Sequence, residues 1–223
     1  MAHYDMLVIG TGPAGQKAAV QAAKLGKKVG IIERKEVVGG VCTNTGTIPS
    51  KSLREAVLYL SGFRQRTLYG AEYRLKKTIT IEDLAFRANH VIKNEIEIVQ
   101  NQMARNRIDL IFGEARFIDA HRLLIRQAGT STEHRAHVIV IAVGTEPARP
   151  ADIPFDGHTI IDTDGLLTLT HLPTSMVIVG GGLIGTEYAS IFAMIGVSVT
   201  LIDKRPRLLE FVDAQIIDAL QRH

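Results

Sequence analysis

The sequence predicts an α/β protein with two Rossmann-like domains in tandem, because one local pattern occurs twice along its 223 residues. Each copy has a short apolar run, three glycines in the spacing GxGxxG, a helix-like segment and a second apolar run that leads to a carboxylic acid. The second copy follows the first by 170 residues, from Gly10 to Gly180. This repeat indicates two three-layer domains, each with a mostly parallel sheet between helices.

The first copy begins with apolar residues 6–9, which predict a strand, and continues into AGQKAAVQAAKLG, which predicts a helix. Between them, Gly10 permits a tight turn, Gly12 lets the backbone approach a pyrophosphate, and Gly15 lets the helix pack closely on the strand. The next run, KKVGIIER, contains Glu33, which lies 18 residues after Gly15 and is suitably placed for a ribose hydroxyl. Together these features form a complete dinucleotide-binding pattern.

The second copy has a strand at residues 176–179, the glycines Gly180, Gly182 and Gly185, the helical segment TEYASIFAMIG and the strand VSVTLID. Its acid, Asp203, again lies 18 residues after the third glycine. Two copies with the same spacing indicate two dinucleotide sites, and the alternative is two ordinary βαβ units without a ligand.

Two amphipathic segments lie between the copies and predict a long helical pair inserted in the first domain. The first follows Pro49 and carries Leu53, Val57 and Leu60 at helical spacing. Its candidate capping box is Ser52 with Glu55. The second segment runs from Thr80 through the apolar positions Leu84, Ala88, Val91, Ile92, Val99 and Met103. We interpret both segments as helices that pack on a sheet.

Four β-like runs follow, DLIF, RFID, RLLIRQ and HVIVIAVG, and the polar stretch AGTSTEHRA predicts a hairpin turn between the last two. Pro147, Pro150, Pro154 and Pro173 then precede the second copy. We therefore place a domain boundary here, between residues 1–150 and 151–223. After Asp203 there is room only for the short helix DAQIIDALQR, so we expect the second domain to be incomplete.

The composition argues against several classes of function. A net charge of +3 is spread along the chain, so we expect no nucleic-acid partner. The N-terminus lacks a signal-like segment and no apolar run approaches the roughly 20 residues of a membrane helix, so we expect a cytoplasmic protein without a membrane partner. One cysteine without a CxxC pair predicts neither an internal disulfide nor a metal site.

Four segments, VIGTGPAG, GGVCTNTGTIPSK, IAVGTEP and VGGGLIGTEYASIF, resemble the FAD-dependent pyridine nucleotide-disulfide oxidoreductase superfamily over essentially the whole chain. The resemblance implies FAD at the first site and a nicotinamide nucleotide at the second. Most members carry a redox pair of cysteines five residues apart, but here Cys42 is followed by Thr47, and a threonine cannot form a disulfide. In this respect the sequence resembles the branch of soluble, Si-specific pyridine nucleotide transhydrogenases.

This resemblance implies hydride transfer from NADPH to enzyme-bound FAD and on to NAD⁺. Lys51 is expected near flavin N5, paired with Glu187, where its charge would stabilise the reduced flavin. We interpret Cys42 as a small apolar residue against the flavin, and the alternative is a reactive thiol. Two other functions remain open: another flavin-dependent NAD(P)H reductase or oxidase, such as a diaphorase, and a non-catalytic nucleotide-binding fragment.

Superfamily members complete the FAD domain and add a dimerisation domain after the second site, so we expect this chain to lack both segments. The full-length protein is expected to be a homodimer or a higher homo-oligomer. Coenzyme preference is open at this stage: Asp203 favours NAD(H), whereas Lys204, Arg205 and Arg207 favour the 2′-phosphate of NADP(H).

The resemblance implies catalytic roles for Lys51 and Glu187 and no metal ligand. The cofactor-binding residues that it implies are Gly10, Gly12, Pro13, Ala14, Gly15, Glu33, Arg34, Lys35, Gly39, Gly40, Val41, Cys42, Thr47, Lys51, Ala115, Ala142, Gly144, Gly180, Gly182, Leu183, Ile184, Gly185, Glu187, Asp203 and Lys204.

Overall fold

The computed structural model describes residues 2–70 and 72–222. Its elements in chain order are β1 (Ala2–Ile9), α1 (Pro13–Lys24), β2 (Val29–Glu33), α2 (Gly40–Asn44), α3 (Thr47–Leu60), α4 (Arg66–Tyr69), α5 (Ile81–Arg105), β3 (Asp109–Phe112), β4 (Glu114–Asp119), β5 (Arg122–Gln127), β6 (Thr130–Ile141), β7 (Ser175–Val179), α6 (Leu183–Met194), β8 (Ser198–Ile202) and α7 (Ala214–Arg222). Short 3-10 helices lie at Phe63–Gln65 and Gly165–Thr168.

The described residues divide into two compact units. The first unit contains the residues up to 49 together with 89–150, and the second unit contains 50–88 and the residues from 151 onward. The division therefore falls within α3, within α5 and after Pro150. The assignment of residues 1–150 to FAD and 151–223 to NAD(P) stays a prediction.

The first unit is built on a sheet whose described strands follow the order β3-β2-β1-β6-β5-β4. Strand β1 pairs in parallel with β2 and with β6, and β2 pairs in parallel with β3. Strands β4, β5 and β6 are joined by antiparallel pairs. Because β1 is flanked on both sides by parallel neighbours, the carboxyl ends of β1, β2 and β6 lie at one edge of the sheet, where open α/β sheets bind ligands.

Both faces of this sheet are buried at its parallel strands β1 and β2, which explains their nearly continuous apolar runs. On one face, Val8 and Ile31 pack with Ala19 of α1 and with Val99 and Met103 of α5. The residues that form the core on the other face are Tyr4, Leu7, Ile32, Leu123, Ile125 and Ala136. The predicted α/β class with a parallel-rich sheet is confirmed.

The second unit has β7 and β8 as a parallel pair, with Val177 opposite Thr200. Helix α6 connects the two strands, and one face of it joins the apolar residues of α3 and of the start of α5. The buried residues of this core are Leu53, Ala56, Val57, Ile81, Leu84, Ala88, Leu166, Tyr188, Ile191, Phe192 and Val197.

The predicted hairpin turn is wrong in its extent. Strand β6 already begins at Thr130, so the turn between β5 and β6 consists of Ala128 and Gly129, both with positive φ (45° and 83°). Such a two-residue turn matches the twist of antiparallel strands. The segment STEHRA was interpreted as turn because it is polar, but it pairs with β5 in a part of the hairpin that is largely exposed.

The predicted capping box of Ser52 and Glu55 is also wrong. Helix α3 begins at Thr47, so Ser52 is a buried residue inside the helix and Glu55 forms a 3.3 Å ion pair with Arg64. The prediction placed the start of the helix after Pro49. A proline is tolerated within the first turn of a helix, however, because its missing N–H would have no intrahelical partner there.

The predicted start of the second helix at Thr80 is confirmed. The Thr80 N–H donates to the Asp83 carboxylate at 2.9 Å, and the Asp83 N–H donates to the Thr80 hydroxyl at 3.4 Å. This reciprocal pair satisfies backbone donors at the start of α5.

None of the helices within residues 2–70 and 72–222 combines the length and the apolar content that are needed to cross a membrane.

Burial of Tyr188 in the second unit makes the free energy of unfolding depend on pH in the alkaline range. Burial, with added effects of the Glu187 and Asp164 carboxylates, raises the pKa of Tyr188 to about 12. An unfolded tyrosine ionises near pH 10, so between about pH 10 and about pH 12 the unfolded state loses a proton that the folded state keeps. We therefore expect the free energy of unfolding to fall over this range by an amount on the order of 1 kcal/mol.

This prediction is checked by urea unfolding followed by circular dichroism at about pH 9 and at about pH 11.5, with wild type and Tyr188→Phe compared. The difference between the two proteins isolates Tyr188, since burial also raises the pKa of Tyr4 to about 12. The same loss of stability in both proteins would contradict the assignment.

Candidate functional site

The first glycine turn, residues 10–15, links β1 to α1, and its first glycine is required by the backbone. Gly10 has φ +106°, and its N–H donates to the Ile32 carbonyl at 2.8 Å. A Cβ added at Gly10 would lie 2.2 Å from the carbonyl oxygen of Ala142. Ala142 is held there by its own N–H, which donates to the Ile9 carbonyl at 2.8 Å. The turn is therefore tight because the chain after β6 lies directly against it.

Packing requires glycine at the third position of this motif, Gly15, but not at the second, Gly12. A Cβ at Gly15 would lie 2.0 Å from the Gly10 carbonyl oxygen, so close packing of α1 requires glycine there. Gly12 has an ordinary φ of −67°, and the nearest described atom to an added Cβ is the Cα of Gly40 at 4.0 Å. The protein's own packing therefore does not require glycine at position 12. Position 12 is the N-cap of α1, where free backbone N–H groups are available to an anion.

The segment that carries the cysteine approaches this turn through two further glycines. Gly39 and Gly40 both have positive φ, 104° and 63°, and a Cβ at Gly40 would lie 2.8 Å from the Gly12 Cα. The Asn44 side-chain amide donates to the carbonyls of Val38 and Gly40, each at 2.9 Å, and so holds the short helix α2 in place. Glycine at 40 thus allows the segment to approach the N-terminus of α1 closely, and glycine at 39 avoids Thr43, whose Cβ would lie 2.6 Å from an added Cβ.

Glu33, the predicted ribose ligand, lies at the end of β2 and is buried, with 7% of its surface exposed. Its Oε2 accepts a hydrogen bond from the Thr11 hydroxyl and one of 3.3 Å from the Thr11 N–H. The Thr11 hydroxyl oxygen in turn accepts from the Gly39 N–H at 3.1 Å. Oε1 accepts from the Lys35 N–H at 3.0 Å, and a carboxylate oxygen can accept two such bonds. Glu33 therefore anchors the turn and keeps capacity for a ribose hydroxyl.

The other predicted residues of the first unit lie around the same edge of the sheet. Arg34 follows β2 and pairs with Glu146 at 3.4 Å, and both side chains are exposed. Gly144 lies in the segment after β6 with φ +70° and open space around it. Pro13 and Ala14 form the first turn of α1, Val41 is an exposed residue of α2, and Ala115 pairs with Ile125 between β4 and β5.

Cys42 is half-buried in α2 and carries a free thiol. Thr47 lies at the start of α3 and is exposed. In most members of the superfamily that the sequence resembles, this position holds the second cysteine of the redox pair. Here it carries a hydroxyl group at an accessible helix end. Within the described residues no group of three or more His, Cys, Asp and Glu side chains is arranged to hold a metal ion.

The second glycine turn, residues 180–185, repeats the first inside the second unit. Gly180 has φ +111° and its N–H donates to the Ile202 carbonyl at 2.7 Å. A Cβ at Gly185 would lie 1.9 Å from the Gly180 carbonyl oxygen. Gly182 again has an ordinary φ of −77°, and in the described chain an added Cβ would find Arg205 Nη2, at 3.9 Å, as its nearest neighbour. In this turn Gly180 is required by its positive φ and Gly185 by packing, whereas Gly182, like Gly12 in the first turn, is required by neither.

Asp203 takes the place of Glu33 in this second turn. Its Oδ2 accepts the Gly181 N–H at 2.5 Å and its Oδ1 accepts the Arg205 N–H at 2.8 Å. The Arg205 guanidinium adds two bonds, from Nε to Oδ1 at 2.9 Å and from Nη2 to Oδ2 at 2.6 Å. This guanidinium holds the pKa of the Asp203 carboxyl well below its usual range, so the carboxyl is ionised at neutral pH. Leu183 and Ile184, at the start of α6, are exposed, as is Lys204.

The predicted catalytic pair is brought together inside the second unit. Lys51 Nζ lies 2.5 Å from Glu187 Oε1, and thus a residue of α3 contacts a residue of α6. The Lys51 side chain is 57% exposed and the Glu187 side chain is 16% exposed. The ammonium group is thereby fixed by a carboxylate and remains accessible, whereas its catalytic role stays a prediction.

Comparison with models of known protein families matches residues 4–223 to the pyridine nucleotide-disulphide oxidoreductase family. The chain belongs to this family. The assignment made from the sequence motifs is thus confirmed.

Several members of this family with known names are close to the chain in sequence. The soluble pyridine nucleotide transhydrogenases of Mycobacterium tuberculosis (strain ATCC 25177 / H37Ra) and Mycobacterium bovis (strain BCG / Pasteur 1173P2) are each 54% identical to it over 225 residues, which cover 100% of this chain and 48% of the relative. The soluble pyridine nucleotide transhydrogenase of Colwellia psychrerythraea is 44% identical, over 99% of this chain and 47% of its own length. The chain therefore spans about half the length of the curated relatives that it matches.

A solved member of the fold is the HOCl-induced flavoprotein disulfide reductase RclA from Escherichia coli, whose structure is a Cu(II) complex. It is 30% identical with a TM-score of 0.84, and the match covers 100% of this chain and 48% of RclA. These names support the cofactor class expected from the sequence, FAD with NAD(H) and NADP(H).

The sequence did not single out two positions of the candidate site in this pyridine nucleotide-disulphide oxidoreductase chain. Thr11 was treated as a free position of the glycine motif, although its hydroxyl joins Glu33 to Gly39. Arg205 was one of three basic residues after Asp203, and its two guanidinium bonds to the carboxylate distinguish it from the others. The signal for Thr11 is a hydroxyl inside the turn, and a comparison of the two copies, which have Thr11 and Gly181 at this place, would have pointed to it.

Proposed function

We propose that this chain carries the FAD site and part of the nicotinamide-nucleotide site of a soluble transhydrogenase, which passes a hydride from NADPH to NAD⁺ without a redox disulfide. One observation carries the proposal: Gly12 and Gly182 are N-cap glycines with ordinary backbone angles that the protein's own packing does not require. Glycine at both places is explained if each helix N-terminus approaches a pyrophosphate closely.

The residues of the first turn fit FAD. Backbone N–H groups at the start of α1 are available to a pyrophosphate, and Glu33 Oε1 retains capacity for a ribose hydroxyl. Gly39 and Gly40 leave the space above Gly12 without side chains. When bound, FAD would accept a hydride from one nicotinamide nucleotide and pass it to another.

The cysteine count supports a reaction without a disulfide relay. Cys42 is the one cysteine among the 223 residues, and Thr47 stands where most superfamily members carry the second cysteine of the redox pair. A threonine hydroxyl neither forms a disulfide nor accepts electrons, so within this chain Cys42 has no partner for thiol–disulfide exchange.

Lys51 and Glu187 supply a fixed positive charge. The carboxylate of Glu187 orients the ammonium group, and a charge oriented in advance stabilises negative charge that develops during a reaction without a cost for reorganisation. The exposure of the Lys51 end limits what the pair contributes to stability, which is consistent with a functional role for Lys51.

For a protein of the length of the curated relatives the proposal includes a homodimer or a larger homo-oligomer in the cytoplasm, with nicotinamide nucleotides as partners. These parts rest on the superfamily resemblance, and the relatives of twice this length carry the word soluble in their names.

Visible absorption of the purified chain tests the proposal. The chain is incubated with FAD, passed over a gel-filtration column, and then mixed with NADPH and a thio analogue of NAD⁺. We expect flavin absorption to elute with the protein and the analogue to become reduced. A protein that remains colourless contradicts an FAD site in this chain, and a coloured protein that reduces only oxygen or quinones favours the diaphorase or oxidase alternative.

A further inference from the structure

The acidic residue has different hydrogen-bond donors in the two copies of the glycine turn. In the first copy, Glu33 accepts hydrogen bonds from neutral donors, namely the Thr11 hydroxyl and two backbone N–H groups. In the second copy, Asp203 accepts two backbone N–H groups and a guanidinium from Arg205. The charge of the acid is therefore balanced by a side chain in the second copy alone, as far as the described residues extend.

Two features of Arg205 make it suited to contact a ligand. The Asp203 side chain is 8% exposed whereas the Arg205 side chain is 34% exposed, so the guanidinium is the accessible half of the pair. Arg205 Nη2 also lies 3.9 Å from the position of a Cβ at Gly182, the N-cap glycine of α6. The guanidinium thus lies between the acid and the helix end that is proposed to approach the pyrophosphate.

The two neighbouring bases do not share this geometry. Among the described residues, neither Lys204 nor Arg207 has a recorded hydrogen bond or ion pair with Asp203. Arg207 instead lines a small cavity of about 130 Å³ with Leu208, Val212 and Ile217. Of the three bases that follow Asp203, Arg205 is therefore the one that binds its carboxylate.

We propose that Arg205 is the residue that lets one adenosine subsite accept nucleotides both with and without a 2′-phosphate. This inference rests on the proposed function, since it assigns a subsite to the second glycine turn. A nucleotide with a 2′-phosphate binds the guanidinium N–H groups that the pair leaves free, because Asp203 accepts only two of the five N–H groups of Arg205, from Nε and Nη2. A nucleotide with a free 2′-hydroxyl donates to Asp203 and leaves the Asp203–Arg205 pair in place. Because the pair is neutral as a whole, the subsite strongly repels neither coenzyme.

The test is calorimetric binding, to the FAD-loaded chain, of two nucleotide fragments that lack nicotinamide, adenosine 2′,5′-bisphosphate and adenosine 5′-monophosphate. Bound FAD occupies the first turn and leaves the second turn for the fragments. We expect the wild-type chain to bind both fragments with affinities within about 10-fold of each other. Arg205→Ala should weaken the bisphosphate by about 10-fold or more and the monophosphate by less than about 3-fold, since only the former loses a charged bidentate partner. Arg205→Lys should recover part of the loss.

Arg207→Ala is the matched control, because it removes the same charge two residues away, and it should change both affinities by less than about 3-fold. Thermal melts of each variant establish that the fold is retained. Equal weakening of both fragments by Arg205→Ala, or a selective loss in Arg207→Ala, would overturn the inference and leave the proposed function intact. Failure of the wild-type chain to bind either fragment would contradict the second nucleotide site itself and with it both proposals.

Discussion

Replacement of Gly12 by alanine should leave the fold intact and remove most of the affinity for FAD. Gly12 has φ −67°, which alanine adopts without strain, and an added methyl group would find no described atom closer than 4.0 Å. Loss of a glycine at such a position reduces the entropy of the unfolded chain, so the apo protein should be unchanged or more stable by up to about 1 kcal/mol. The same methyl group would occupy space that a pyrophosphate needs, so we expect FAD affinity to fall by about 10-fold or more.

Gly15→Ala is the contrasting variant, since its Cβ would lie 2.0 Å from the Gly10 carbonyl oxygen. Backbone must move to relieve this contact, so we expect a loss of about 3 kcal/mol or more and little folded protein. Gly182→Ala serves as a second comparison, because it should reduce nucleotide affinity at the second turn and leave FAD retention unchanged. Thermal melts and FAD titrations measure these effects, and normal FAD affinity in Gly12→Ala would contradict the reason given for that glycine.

Replacement of Lys51 by alanine should slow hydride transfer strongly and change stability little. The Lys51 end of the 2.5 Å pair with Glu187 is 57% exposed, so its loss should change the free energy of unfolding by only about 1 kcal/mol. If Lys51 provides the charge that stabilises reduced flavin, the rate of reduction by NADPH should fall by about 10-fold or more. Stopped-flow absorbance of the FAD-loaded chain without oxygen measures this rate.

Arg54→Ala is the matched control for Lys51→Ala, since Arg54 is an exposed cation one turn later on α3 that pairs with Glu55 at 3.7 Å. It should leave the rate of flavin reduction within about 2-fold of wild type. Glu187→Gln should slow the reaction less than Lys51→Ala, because it leaves the ammonium in place with a weaker partner. An unchanged reduction rate in Lys51→Ala would remove Lys51 from the catalytic assignment.

The local pattern of glycines and apolar runs was sufficient to predict the repeated core. Contacts within the strand–turn–helix unit or with the chain beside it require Gly10, Gly15 and Gly185, and a positive φ requires Gly180. Such short-range requirements are visible in the spacing of the sequence. The hairpin between β5 and β6 was assigned too long a turn, because exposed strands of that hairpin are polar and resemble a loop in composition.

The features that the sequence did not predict are contacts between particular side chains. Three bases follow Asp203, and only the hydrogen bonds show that Arg205 is the partner. The spacing of the motif likewise gave Glu33 a ligand role, whereas the fold also uses it to hold Thr11 and thereby the turn. Pairing choices of this kind are decided by rotamers and burial, which leave no periodic signal in the sequence.

The most direct test of hydride transfer without a disulfide is the NADPH-dependent reduction of a thio analogue of NAD⁺ by FAD-loaded Cys42→Ser, a form of this chain without any cysteine. We predict a rate within about 3-fold of wild type, since a small residue against the flavin replaces another of similar size. Loss of exchange in a variant that still binds FAD and both nucleotides would show that the thiol takes part in the reaction and would contradict the account.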